Sequence, residues 1–155
     1  PPKKGRSHVL RIIRELLEFE PKSKQTNVAE ALKFLSNVMK KKAIVFVLSD
    51  FIAGDYKQNL KIAAGRHDIT GIRIYDRHEA EIPNLGMVQM EDEETGEAML
   101  VNTASKKVRQ DYSKFYIEKV HYFKDSFAKS GSGAIDCRVD ESYVKKLLGY
   151  FKQRG

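Results

Sequence analysis

The chain has 155 residues, of which 41% are hydrophobic, and its formal net charge is +7 at pH 7. This length favours a single domain with a buried core, so we treat residues 1–155 as one unit. The single cysteine, Cys137, excludes an internal disulfide and a cysteine-based zinc site, and it favours a reducing compartment. No apolar run is long enough to span a membrane. We therefore expect a cytoplasmic protein without membrane contact.

The positive charge raises the question of nucleic-acid binding, because clustered Lys and Arg side chains neutralise phosphates. The basic residues here are spread over separate clusters, and most fall at predicted helix ends or on exposed helix faces. The acidic segment 91–94 also interrupts the basic surface. We therefore do not expect nucleic acid to be the main partner.

The first part of the chain predicts two helices. Ser7 can cap the first helix, whose apolar residues recur at helical spacing as far as Pro21. The polar connector 22–26 then leads to a second helix, which begins at Asn27.

Residues 43–48 form the segment around which the rest is organised. They are apolar, mostly β-branched and without polar alternation, which is typical of a strand buried on both faces in the middle of a parallel sheet. Ser49 and Asp50 follow at once. Because ligands of open α/β sheets bind outside the carboxyl ends of the strands, Asp50 is the leading candidate site residue.

The next elements predict a doubly wound α/β sheet. A loop with Gly54 leads to a helix and then to a second buried strand, 69–75, an order typical of right-handed crossovers. The segment 86–101 predicts a β-hairpin that projects from the sheet edge, with Gly96 in its turn.

The C-terminal third predicts a long helix, a strand and a final helix. Ser105 can cap the long helix, which runs to about Ser130 and whose aromatic stripe we interpret as core packing. Residues 134–139 predict a third parallel strand. Asp140 can cap the final helix, whose apolar stripe should pack on the sheet: Val144, Leu147, Leu148 and Phe151.

Familiar catalytic motifs are absent from the sequence. It has neither Gly-rich phosphate loop, no HExxH pair and no GxSxG nucleophile elbow, and its four histidines are dispersed. What remains is a hydroxyl at Thr26 and the pair Ser49 and Asp50, which together with water could supply the oxygen ligands of Mg²⁺. The alternative is structural: Thr26 or Asn27 caps a helix, and Asp50 accepts hydrogen bonds from its own loop.

Four segments resemble the carboxyl-terminal part of a von Willebrand factor type A-like domain. They are TNVAEAL at 26–32, the strand 43–48 with its SDF continuation, the pair 136–137, and DESYVKKLL at 140–148. Among such domains, they resemble bacterial proteins of unknown function associated with MoxR-type AAA ATPases. The resemblance covers nearly the whole chain and implies a mainly parallel, Rossmann-type sheet that lacks its front strands.

The resemblance also implies a partial metal-ion-dependent adhesion site. In that family the site combines an upstream DxSxS, a threonine before a helix and an aspartate after the next strand. By position, Thr26 matches the threonine and Asp50 the aspartate, with Ser49 beside it, whereas the DxSxS is absent from this sequence. We therefore expect Mg²⁺ in the complete domain and little or no metal bound by this chain alone.

The implied function is a non-enzymatic protein-interaction module that assists a MoxR-type AAA ATPase in the assembly or maturation of other proteins. With the front strands missing, the strand 43–48 would be an exposed edge. We expect a homo-oligomer, or strand exchange through that edge, with a second copy or other polypeptide as its neighbour.

A second hypothesis belongs to another class. A divalent-metal-dependent nuclease, or a nucleic-acid-binding domain, would use the basic surface to hold phosphates. In the nuclease, Asp50 and Asp136 would be the acidic ligands, and this requires both carboxylates to lie in one cleft.

Overall fold

Helices and strands alternate along the chain in this computed structural model, which describes residues 3–20, 26–91 and 97–154. Four features named in the predictions above lie wholly or partly outside these ranges: Pro21, residues 22–25 of the connector 22–26, residues 92–94 of the acidic segment, and Gly96. The elements are α1 (Arg6–Glu18), α2 (Val28–Val38), β1 (Ile44–Ser49), α3 (Lys57–Ala64), β2 (Asp68–Tyr75), a short 3₁₀ helix (Arg77–Ala80), β3 (Met87–Glu91), β4 (Ala98–Asn102), α4 (Lys106–Lys129), β5 (Gly133–Arg138) and α5 (Tyr143–Arg154).

Three strands form a parallel sheet in the order β1-β2-β5. The α/β class and the three predicted parallel strands are confirmed. The central strand is β2, and its residues Ile69, Thr70 and Gly71 are fully buried because neighbours pair with it on both sides.

The position predicted for β1, in the middle of a sheet and buried on both faces, is wrong. In the described part of the chain β1 pairs only with β2, and its side chains alternate between exposed and half-buried. Ile44 is 70% exposed and Leu48 is 61% exposed. A continuous apolar run predicts a strand but does not show whether that strand lies at the centre or at the edge of its sheet. The edge position agrees with what the resemblance implied.

One face of the sheet carries the hydrophobic core, which α2, α3 and α4 cover. Leu32, Leu60, Phe123 and Phe127 are almost fully buried there. The core packing expected of the stripe on α4 is therefore confirmed for Phe123 and Phe127. Gly71 of β2 makes the close approach possible, since a Cβ at this position would lie only 2.5 Å from the Phe127 ring.

The opposite face of the sheet is covered only in part, by the C-terminal half of α5. The Phe151 ring meets the Phe46 ring edge to face, with centroids 6.0 Å apart, and the Tyr150 hydroxyl lies 3.1 Å from the Thr70 hydroxyl. Three residues of the predicted stripe, Val144, Leu148 and Phe151, are exposed, and Leu147 is half-buried. The predicted packing of α5 on the sheet is thus seen at Phe151, through its contact with Phe46, and the stripe as a whole is not buried.

Two of the four predicted helix caps are confirmed. Asn27 accepts a hydrogen bond from the Glu30 amide at 2.9 Å, and Ser105 caps α4. The cap of α1 is wrong, because Gly5 occupies that position with φ 101° and Ser7 lies inside the helix. The cap of α5 is also wrong: the helix begins only at Tyr143, and the Asp140 carboxylate accepts from Arg138 instead.

The predicted hairpin is confirmed as an antiparallel pair, β3 and β4, that forms its own two-stranded sheet. Its base is closed by Thr103, whose hydroxyl donates to the Gly86 carbonyl at 2.8 Å and accepts from the Leu85 amide at 2.9 Å.

The remaining element, α1, has no buried residue. Its apolar side chains are exposed: Val9, Leu10, Ile12, Ile13, Leu16 and Leu17.

Candidate functional site

The loop at the carboxyl end of β1 holds two of the three predicted site residues. Ser49 ends the strand, and its hydroxyl donates to Asp50 Oδ1 at 3.2 Å. The same Oδ1 accepts from the Ile52 amide at 3.1 Å, while Ser49 Oγ accepts from the Phe51 amide at 3.0 Å. Asp50 is exposed, and its Oδ2 accepts no hydrogen bond from a described residue. The loop thus holds one carboxylate at the surface in a fixed orientation.

Phe51 fixes this loop to the core. Its φ is 58°, in the left-handed region that non-glycine residues rarely adopt, and its side chain is only 1% exposed. The ring stacks on Phe123 with centroids 4.4 Å apart and contacts Phe127 edge to face at 5.4 Å. The aromatic packing therefore compensates for a backbone conformation that costs about 1–3 kcal/mol. The sequence analysis missed this role, although an aromatic residue directly after two polar ones was a signal.

Thr26 is exposed and lies one residue before the N-cap of α2. The structural interpretation is correct for Asn27, whose side chain is used in capping. Among the described residues no group of three or more His, Cys, Asp or Glu side chains could hold a metal ion. Thr26, Ser49 and Asp50 are a different kind of ligand set, two hydroxyls and one carboxylate, whereas Mg²⁺ normally binds one or two carboxylates together with further oxygens. The partial magnesium site at these residues stays a prediction.

A second polar cluster lies between the sheet and α4, and the sequence analysis did not anticipate it. Arg73 of β2 is 5% exposed, and its Nε donates to Asp136 Oδ1 of β5 at 2.6 Å. Arg73 Nη1 also donates to the Tyr116 hydroxyl at 3.1 Å, and Lys124 Nζ lies 2.8 Å from Asp136 Oδ2. Burial would raise the pKa of the Asp136 carboxyl, but hydrogen bonds and charge from Lys124 and Arg73 outweigh it and hold that pKa below its ordinary value. A charged residue inside each of two apolar strands was the available sequence signal.

The structure does not bring Asp50 and Asp136 together. Ser49 pairs with Arg73, and Arg73 pairs with Asp136, so the two carboxylates lie near the same level of the sheet but two strands apart. Two strand spacings amount to about 10 Å. Asp136 is moreover already bound by two cations. This arrangement does not provide the shared cleft that the nuclease hypothesis requires.

Cys137 is a free thiol. Cys137 of β5 is buried, and this burial raises the pKa of its thiol. The side chain is therefore neutral and shielded, which argues against a role as a nucleophile.

None of the helices in the described ranges has the length and apolar character needed to cross a membrane.

Comparisons with known proteins add a family but no activity. The chain is 22% identical over 129 residues to the uncharacterized protein MAV169 of Mycobacterium avium. This match covers 83% of this chain and 76% of that protein. It is 25% identical over 157 residues to the uncharacterized protein Rv1480 of Mycobacterium tuberculosis and to Mb1516 of Mycobacterium bovis. These two matches cover 99% of this chain and 49% of each relative, so the chain spans about half their length.

No solved structure matches the chain at a significant level. The sequence does match a family model, described as a protein of unknown function, DUF58, over residues 1–121. Since this match covers well over half of the chain, the protein belongs to the DUF58 family.

Proposed function

We propose that this chain is a non-enzymatic protein-interaction module of the von Willebrand A-like type, which works in the cytoplasm with a MoxR-type AAA ATPase in protein assembly or maturation. The proposal rests on the resemblance of segments 26–32, 43–51 and 140–148 to such domains. The parallel β1-β2-β5 sheet is compatible with it. Membership of a family of unknown function leaves the partner open.

The observation that carries the proposal is the geometry of the β1 loop. Asp50 is the residue that the resemblance assigns to the metal-ion-dependent adhesion site, and it is exposed at the carboxyl end of a strand. Its Oδ1 is satisfied by Ser49 and Ile52, whereas Oδ2 is directed to no described partner. The buried Phe51 ring holds the loop in this conformation. A rigid, exposed acceptor of this kind suits recognition better than catalysis, which would need a second group in reach.

The test is a binding titration of the chain against a purified MoxR-type ATPase from the same organism, by calorimetry. We expect saturable binding that Asp50→Ala weakens by roughly tenfold, because a charge-assisted hydrogen bond is lost. The matched control is Asp111→Ala on α4, an exposed aspartate without an ion pair to a described residue. No binding, or equal binding by parent and Asp50→Ala, would overturn the proposal.

A titration with metal ions distinguishes two ways in which Asp50 could contact a partner: through a bridging metal ion or directly. Amide NMR shifts are followed during titration with Mg²⁺ and Mn²⁺, on the parent and on Asp50→Ala. Saturable shifts centred on Thr26, Ser49 and Asp50, lost in the variant, support contact through a bridging metal ion. Flat spectra in both proteins, with ATPase binding retained, support direct contact without metal.

The exposed edge of β1 is the second surface through which we expect this chain to bind polypeptide. An edge strand presents a row of unpaired backbone groups, and here Ile44, Phe46 and Leu48, on the face of the sheet that α5 covers in part, are exposed as well. We propose that a second copy or a strand of other polypeptide pairs with this edge. Light scattering at increasing concentration tests the first alternative, and Phe46→Glu should abolish any self-association. A monomer at high concentration would leave only the second alternative.

A further inference from the structure

A cavity of about 280 Å³ lies between α4, the 3₁₀ helix and the carboxyl ends of β2 and β5, away from the β1 loop. Three arginines line it: Arg73, Arg77 and Arg138. Its other walls are largely aromatic and aliphatic, with Tyr75, Tyr116 and Ile117 among them. Its size suits a single side chain or a small charged group rather than a large cofactor.

Arg73 is held rigidly in the wall of this cavity. Its Nε and Nη1 donate to Asp136 and to the Tyr116 hydroxyl, and its guanidinium stacks on the Tyr75 ring at 3.9 Å from the centroid. Its Nη2 donates to no described residue. A buried guanidinium that keeps one donor nitrogen unused is organised in advance for an anion, because little rotational freedom remains to be lost on binding.

The charges around the cavity favour an incoming anion. Asp136 is shared between Arg73 and Lys124, and Glu141 between Arg138 and Lys146. Asp140 accepts from Arg138.

Each of these three carboxylates is thus already neutralised by at least one cation. Arg77 lies at the same cavity and has no described carboxylate within salt-bridge distance, although its charge acts on Asp140. A carboxylate that enters would therefore meet a guanidinium that makes no close ion pair.

From this arrangement we infer that the cavity between Arg73, Arg77 and Arg138 binds the carboxylate of an acidic residue in a partner peptide, with an apolar neighbour of that residue against Tyr75 and Ile117. Arg77 supplies a bidentate pair of donors that matches a carboxylate, Arg73 Nη2 supplies a further donor, and the apolar walls supply contact area for the neighbour. This site is separate from Asp50, and its test does not involve the ATPase. Either proposal can therefore fail alone.

The probe is the blocked dipeptide acetyl-Leu-Glu-amide, titrated into the whole chain and followed by amide NMR. We expect saturable shifts at Tyr75, Arg77 and Ile117, with a dissociation constant in the millimolar range that suits so small a ligand. The isosteric acetyl-Leu-Gln-amide tests the need for charge and should bind roughly tenfold more weakly. Inorganic phosphate, added alone, tests whether any anion suffices.

Arg77→Ala is the decisive variant, because Arg77 has no ion pair within the described fold and its loss should leave stability unchanged. We expect it to weaken binding of the acidic probe by roughly tenfold. Arg14→Ala on α1, an exposed arginine outside the cavity, is the matched control and should bind as the parent does.

Three results would overturn the inference. They are the absence of shifts at the cavity residues, equal binding of the acidic and amide probes, and tighter binding of phosphate than of the acidic probe. The last result would assign the cavity to a phosphate group instead.

Discussion

The Phe51 ring stacks on the Phe123 ring with centroids 4.4 Å apart, although the Phe51 backbone has a positive φ of 58°. The loop that follows β1 and the long helix α4 thus meet through the contacts of Phe51 with Phe123 and Phe127. The orientation of Asp50, one residue earlier, depends on this contact.

Phe51→Ala should therefore destabilise the fold strongly. Removal of a fully buried aromatic ring leaves a cavity and costs about 3–5 kcal/mol in the free energy of unfolding. Urea denaturation measures this loss. Phe34→Ala on α2, an exposed phenylalanine, is the control and should change stability by no more than about 0.5 kcal/mol. Equal effects of the two substitutions would contradict the core position of Phe51.

Gly71→Ala should also be destabilising, for a steric reason. The added methyl group would lie 2.5 Å from the Phe127 ring and 2.9 Å from the Phe123 ring, and overpacking of this kind costs about 1–3 kcal/mol. Gly54→Ala is the control, since nothing lies within 4 Å of a Cβ there, and it should be neutral or slightly stabilising. A second change, Phe127→Leu, should recover part of the loss in the Gly71→Ala background. Without any such recovery, the assigned clash would be incorrect.

Asp125 should make the stability depend on pH in the acid range. Its carboxylate is bound by Lys129 at 2.8 Å and Lys57 at 2.9 Å, and these hydrogen bonds lower its pKa to about 2. In the unfolded chain the pKa returns to about 3.9, so the unfolded state binds the proton more readily. The contribution is therefore complete above about pH 4 and is lost as the pH falls towards about 2.

Urea midpoints measured across this pH window test the assignment. Asp125→Asn should flatten the dependence, because the substituted side chain no longer titrates. Asp111→Asn, at an exposed position of α4, should retain the parent profile. Parallel profiles for the parent and Asp125→Asn would refute the assignment.

His67→Leu should be neutral or stabilising. His67 is 3% exposed, and neither ring nitrogen has a hydrogen-bond partner within the described structure. An unsatisfied buried polar group costs about 1–3 kcal/mol, and an apolar side chain of similar size removes that cost. The expected gain, about 1 kcal/mol, is measured by thermal and urea unfolding against the exposed control His121→Leu. A clear loss of stability would show that a partner satisfies the imidazole in solution.

The sequence alone determined most of the individual elements. The helical periodicity of 28–38 and 106–129 and the apolar runs of 44–49, 68–75 and 133–138 are local signals, and each element lies within a few residues of its predicted position. The candidate residues Ser49 and Asp50 could also be predicted, because their position at a strand end follows from the order of elements alone.

Only the tertiary structure decided how these elements are used. Strand order placed β1 at an edge and β2 at the centre, although both have apolar sequences. It also brought Arg73 and Asp136 together from positions far apart in the chain. The physical reason is that periodicity records which residues avoid water, whereas pairing, burial of charge and the strained φ of Phe51 depend on partners distant in sequence.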